Sequence, residues 1–149
     1  MTDCPCGGGA YLRCCGPLHD GAPAASAEKL MRSRYSAYAL RRYDYLRASW
    51  HASTLPADLG EENGEAVKWL GLSVKRHVAE GDHASVEFVA RFRVKGRGQR
   101  LHEISRFVRE DGRWYYVDGQ LQGNRYIPVG ANSFAPTGQC LAGSRACSA

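Results

Sequence analysis

The chain has 149 residues, room for one ordinary domain and a small appendage, and its 44% hydrophobic content is enough for a core. Its 20 Lys and Arg outweigh 15 Asp and Glu for a net charge of +5, with Lys29, Lys68, Lys75 and Lys95 as the lysines; this mild positive balance favours acidic partners only weakly. No apolar run approaches the roughly 18 residues of a membrane span. Met1-Thr2-Asp3-Cys4 also lacks the basic and apolar regions of a secretory signal, so the expected location is the cytoplasm, with no membrane association.

Residues 1–18 read as a cysteine knuckle: Cys4-Pro5-Cys6, a gap of seven residues, then Cys14-Cys15. Crowded thiols in a reducing compartment bind metal more readily than they pair as disulfides, and adjacent Cys14 and Cys15 suit a disulfide poorly. Two short-spaced pairs supply four soft ligands at tetrahedral corners, with sulfur about 2.3 Å from the ion. Softness favours zinc, with iron as the alternative. Gly7, Gly8 and Gly9 allow a tight turn, and Tyr11 is placed to lid the site. His19 and His51, at loop or helix ends, are candidate additional ligands to a site that four cysteines already complete.

Residues 19–25 read as a linker punctuated by Gly21 and Pro23. Ser26 is then a good N-cap, with Glu28 in the first helical turn. Met31, Tyr35, Tyr38, Tyr45, Leu46 and Ser49 fall on one helical stripe, away from Arg32, Arg34, Arg41 and Arg47. A break is expected near Tyr43-Asp44, with Asp44 capping a second short helix that ends about Trp50. Ala52 to Glu65 is polar, carries Pro56, Gly60 and Gly64, and reads as a loop.

The period then falls from 3.6 to 2. Leu70, Leu72, Val74, Arg76 and Val78 alternate with Trp69, Gly71, Ser73, Lys75 and His77. Turns at Glu80-Gly81-Asp82, Lys95-Gly96-Arg97-Gly98 and Asp111-Gly112 separate four expected antiparallel strands. Residues 120–149 are rich in Gly, Ala, Ser and Asn and read as an irregular tail.

The string CPCGGGAYLRCCG resembles the SEC-C motif, the small knuckle at the C-terminus of the preprotein-translocase ATPase. The usual gap in that motif is eight residues, against seven here. LMRSRYSAYALRRYDYL, ASWH, WLGLSV, VEFVARFR, HEISRF and GRWYYVDG together resemble the YchJ family of bacterial proteins, over residues 4–119. The resemblance implies a nuclear-transport-factor-2-like (NTF2-like) domain behind the knuckle and supplies no activity. Some relatives carry a second C-terminal knuckle; Cys140 and Cys147 lack its paired spacing.

The expected fold is therefore α+β: a four-cysteine metal knuckle at 1–18, a cone of helices packed on a curved antiparallel sheet at 26–119, and the tail. Pairing about Gly96-Arg97 sets Ala90 opposite Glu103 and Phe88 opposite Ser105. Pairing about Asp111-Gly112 sets Ser105 opposite Asp118 and Phe107 opposite Tyr116. Glu103 and Asp118 then share an apolar face and form a candidate acid–base pair. Tyr35, Tyr38, Trp50, His51, Phe88, Ser105 and Tyr116 line the expected pocket, which suits a small apolar ligand. His102 is expected on the opposite face, beside Arg91, Ile104 and Arg106.

Two functions follow. One is an adaptor that contacts the ribosome or the translocation machinery through the knuckle, helped by Arg13, Arg32, Arg41, Arg42 and Arg47. The other is an isomerase, dehydratase or cyclase working in the cone. No aromatic–basic stripe for sequence-specific nucleic-acid reading is present. An outer sheet face bearing Val89, Ile104 and Val108 leaves monomer and homodimer both open.

Overall fold

A computed structural model describes residues 2–59 and 67–122. The remainder of the expected 52–65 loop, and of the tail with Cys140 and Cys147, lies outside the described residues. An Asp3–Ala10 bridge closes the N-terminal loop. A 3-10 turn (Tyr11–Arg13) and a short helix α1 (Gly16–His19) follow, then α2 (Ala27–Leu40) and α3 (Tyr43–Ala48). Strands β1 (Val67–Glu80), β2 (His83–Val94), β3 (Arg97–Glu110) and β4 (Arg113–Leu121) form one antiparallel sheet in the order β1-β2-β3-β4. No helix among the described residues is long and apolar enough to cross a membrane.

Helix α2 starts where its cap places it: the Ser26 hydroxyl accepts a bond from the Lys29 amide at 3.2 Å. It ends at Arg41, whose φ of 59° is left-handed. Asp44 lies in the first turn of α3 without capping it; Arg42 holds the cap position. Between its ends α2 is covered on nearly every side, with Leu30, Met31, Ser33, Arg34, Tyr35, Ser36, Ala37 and Tyr38 all buried. Arg34 is thus not on an outer face as the stripe suggested. The sheet covers one side of α2, α3 another and the knuckle a third, so even its polar positions turn inward.

The sheet face toward α2 carries the core. Phe88, Phe92, Phe107, Val86 and Leu101 are fully buried, each stabilising the fold by about 1.5–3 kcal/mol. The turns are tighter than expected in one place. Val94 opposes Arg97, so the β2–β3 turn is Lys95-Gly96, both with positive φ. This moves the β2–β3 register by two residues: Phe88 opposes Glu103 and Ala90 opposes Leu101, with every side chain kept on its expected face.

Irregularities change the other two strands. β1 shifts register between Trp69 and Gly71 and again between Val74 and Arg76. The inward set is therefore Trp69, Leu72, Val74 and His77, while Leu70 and Val78 are exposed. In β4, Tyr116 opposes Phe107 but Asp118 opposes Arg106, which leaves Val117 as the extra residue of a bulge. Inward positions are thus Tyr116 and then Gly119, and Asp118 is turned to the outer face. β4 also runs past Gly119 to Leu121, where Gln122 N–H donates to the His102 carbonyl at 2.7 Å.

The chain leaving α3 covers the edge of β4. Tyr116 N–H donates to Ser49 O at 2.9 Å and His51 N–H to Tyr116 O at 2.8 Å, so the edge is not bare. On the outer face of the sheet Val89 is buried and Glu87 bonds His102 at 2.7 Å. The exposed apolar surface expected there at Val89 is covered.

Candidate functional site

The knuckle is built from the backbone first. Cys4 N–H donates to Gly9 O at 2.6 Å and Gly7 N–H to Cys4 O at 3.0 Å, which folds the first pair of cysteines into a tight loop. Cys14 ends the 3-10 turn and Cys15 precedes α1. The four sulfur atoms all lie within 4.8 Å of one another. Cys6 and Cys14 are separated by 3.4 Å, Cys6 and Cys15 by 3.7 Å, and Cys14 and Cys15 by 3.9 Å. A tetrahedral thiolate site with sulfur about 2.3 Å from the ion has edges of about 3.8 Å, whereas a disulfide needs about 2.05 Å. All four are free thiols with the spacing of ligands around one ion.

Three of the sulfurs also shift one another's titration. Hydrogen bonding from Cys15 holds the Cys6 thiol down at about 4 against its burial. Burial and the bond to Cys6 push Cys14 up to about 11, and the bond to Cys6, then burial, push Cys15 up further. A metal ion bound by the four thiolates would displace the remaining thiol protons. Gly8 leaves room for this, since a Cβ there would stand 2.7 Å from Cys14 Sγ.

Helix α2 supports the cluster from below. The buried Ser36 hydroxyl lies 3.3 Å from Cys4 Sγ and donates to Cys15 Sγ at 3.3 Å. Arg32 Nη1 donates to Cys6 O at 3.3 Å. His19 Nε2 lies 2.8 Å from the Ser33 carbonyl, which only accepts, so Nε2 carries the proton. Its Nδ1 therefore accepts from the Tyr11 hydroxyl at 2.6 Å. Both ring nitrogens are engaged, so His19 is a strut between knuckle and helix and not a further ligand. Ser36→Ala is expected to leave the fold intact and weaken metal affinity about tenfold, as loss of a ligand's outer hydrogen bond does; competition with a colorimetric chelator measures it.

The second set of residues lies inside the cone. Arg34 is 1% exposed; its Nη1 donates to Leu46 O at 3.0 Å and to Ser49 Oγ at 2.8 Å, and its Nη2 has no hydrogen-bond partner. The guanidinium carbon sits 4.3 Å from the Tyr116 ring centre and 4.8 Å from that of Trp50. Glu103 is 0% exposed and both its carboxyl oxygens lack a hydrogen-bond partner. Its side chain lies across Gly119, where a Cβ would come within 1.4 Å of Oε2. Burial pushes the Glu103 carboxyl well above its ordinary range; Arg34 opposes that, Asp118 adds to it, and the nearby Tyr116 hydroxyl opposes it without reaching hydrogen-bond geometry.

The expected carboxylate pair is not assembled. Arg106 Nε donates to Asp118 Oδ1 at 2.6 Å and Nη2 donates to Oδ2, on the face the bulge turned outward. Trp50 and Tyr116 meet edge to face at 5.0 Å, and Tyr35, Tyr38, Phe88 and Ser105 are buried. His51 is not part of this wall. It follows Trp50 across the β4 edge and points away, to Glu110 at 2.9 Å and Ser53 at 2.7 Å. Ser36 and Gly119 are the members that sequence reading missed. The signal for Ser36 was the small residues Ser33, Ser36 and Ala37 around α2, which let neighbours approach from all sides.

A native carboxyl held above its unfolded value of about 4.3 keeps a proton that the unfolded chain has lost. Stability from this group is therefore full at low pH and falls as pH rises between the two values. Glu103→Gln, which cannot ionise, is expected to gain in urea midpoint relative to the parent chain between pH 5 and pH 8.

The comparisons agree with this layout. The family model described as YchJ, middle NTF2-like domain, matches residues 26–119. A UPF0225 protein of Ralstonia nicotianae is 60% identical over 130 residues, covering 79% of this chain and 90% of the relative. One from Cupriavidus metallidurans is 57% identical over 127 residues, covering 80% and 89%. Among solved structures, a SEC-C motif containing protein from Rhodopseudomonas palustris superposes with a TM-score of 0.72 at 40% identity, covering 80% of this chain and 98% of that one. A sec-c motif containing protein from Psychrobacter arcticus gives 0.68 at 28% identity, covering 91% and 93%. These features define a protein with a SEC-C-type cysteine knuckle docked on an NTF2-like domain. The chain belongs to the YchJ (UPF0225) family.

Proposed function

We propose that the chain is a zinc-binding cytoplasmic interaction protein whose metal-ordered knuckle contacts a partner of the ribosome or the secretion machinery. The observation that carries this reading is the outer surface of the knuckle. The 3-10 turn between the two cysteine pairs presents Leu12, 67% exposed, beside exposed Arg13, while the cysteines below it are largely buried. An apolar tip next to a cation, rigidified by an ion, suits contact with an acidic protein or ribosomal surface. Four soft thiolates favour zinc over harder cations. Arg41 is also exposed, whereas Arg32 is held by Glu28 and Cys6 O, and Arg42 by Asp44. Asp118 is held by Arg106 on the outer face, which supports contact through the knuckle over acid–base chemistry in the cone.

Affinity capture from a reduced bacterial lysate tests the proposal, using the metal-loaded chain, the chelated chain and a Leu12→Ser/Arg13→Glu variant. Ribosomal or translocation components enriched by the loaded chain, and lost in both other arms, are the expected result. Equal capture in all three arms would refute the role of the knuckle.

A further inference from the structure

Inside the cone the fold buries two ionisable groups of opposite sign without joining them. Arg34 and Glu103 are both fully buried and Arg34 acts electrostatically on Glu103, yet neither Glu103 oxygen has a hydrogen-bond partner. Arg34 Nη2, both Glu103 oxygens, Trp50 Nε1 and the Tyr116 hydroxyl are all buried without a hydrogen-bond partner. Each such atom costs about 1–3 kcal/mol, and more for a charged group. A pair kept for stability alone would close, because direct contact recovers part of that cost.

The chemistry of the open positions is donor-rich. Arg34 Nη2, the Trp50 indole and the Tyr116 hydroxyl donate; Glu103 is the lone carboxyl among them. The rings of Trp50 and Tyr116 lie against the Arg34 guanidinium, Phe107 meets Tyr116 edge to face, and Phe88 lies opposite Glu103 on the neighbouring strand. Gly119 leaves the space that lets Glu103 lie flat against the sheet. We infer that the cone interior is a binding site for a small monocarboxylate with an apolar body, its carboxylate held by Arg34 and hydrogen-bonded by Glu103, Tyr116 and Trp50. The anion supplies the charge that Arg34 lacks, and the acid form of Glu103, favoured by burial, donates to it. The aromatic walls take the apolar body. This site is independent of the knuckle's contact surface and of any protein partner.

Titration of nitrogen-15-labelled, metal-loaded, reduced protein with benzoate and hexanoate, and with benzamide as the neutral control, tests the inference. The assigned Trp50 indole N–H resonance is expected to shift saturably with both carboxylates, with benzamide at least tenfold weaker. Arg34→Lys, which keeps the charge but loses the planar fork, is expected to weaken carboxylate binding at least tenfold. Should that variant fail to fold, the comparison of benzoate with benzamide on the parent protein decides. No saturable shift would overturn the inference. Equal response to benzamide would overturn it as well, since simple filling of an apolar space needs no carboxylate.

Discussion

Replacing Cys14 and Cys15 together by alanine is expected to abolish metal binding and to unfold residues 2–20 while the sheet survives. The knuckle has almost no apolar core of its own: its buried members are chiefly Cys4, Cys6, Cys15 and His19. Metal binding to comparable structural sites provides about 10–16 kcal/mol, and an ion held by the four thiolates would order the segment. The consequences reach the domain because α2 is shared. Ser33, Ser36 and Arg32 lose their partners in the knuckle, and a buried helix face becomes wet. A loss of about 3 kcal/mol from the domain lowers its melting temperature by roughly 10 °C or more. Hydrogen exchange is the direct measurement. Amides in 2–20 should exchange at the rate of an unstructured chain, and those of β2 and β3 should stay protected.

The second large effect is expected from Arg34→Met. The variant removes two hydrogen bonds, to Leu46 O and Ser49 Oγ, and the cation stacked between Trp50 and Tyr116. It also leaves Glu103 without the positive charge that offsets its burial. Removing one member of such a buried set costs about 3–5 kcal/mol, to be read from urea denaturation at fixed pH. Adding Glu103→Leu should return part of the loss, because the lone buried carboxyl is then gone. Full additivity of the two substitutions would mean that Arg34 and Glu103 do not sense each other.

Several of these features were legible in the residues. The spacing of Cys4, Cys6, Cys14 and Cys15 announces a metal site because thiols so close together have few other uses. Ser26 marks the start of α2 by a local bond, Ser26 Oγ to the Lys29 amide, that does not depend on the rest of the fold. Asp111-Gly112 specifies its hairpin by backbone preference alone.

What escaped was set by distant contacts. Arg34 lies where helical periodicity points outward, and only the joint presence of knuckle, α3 and sheet encloses it. Asp118 changed faces because of one extra residue, Val117, an ordinary strand former with nothing local to mark a bulge. The β2–β3 register depended on whether Gly96 takes the first or the second place of the turn, and strict alternation is compatible with either.

Metal content of the freshly purified, reduced full-length chain bears most directly on the knuckle, measured by elemental analysis against protein concentration and repeated after substitution with cobalt. One zinc per chain is expected, exchangeable for cobalt with the strong thiolate-to-metal absorption of a four-sulfur site. A chain with no stoichiometric metal whose residues 2–20 are nonetheless protected from exchange would contradict a knuckle ordered by its ion.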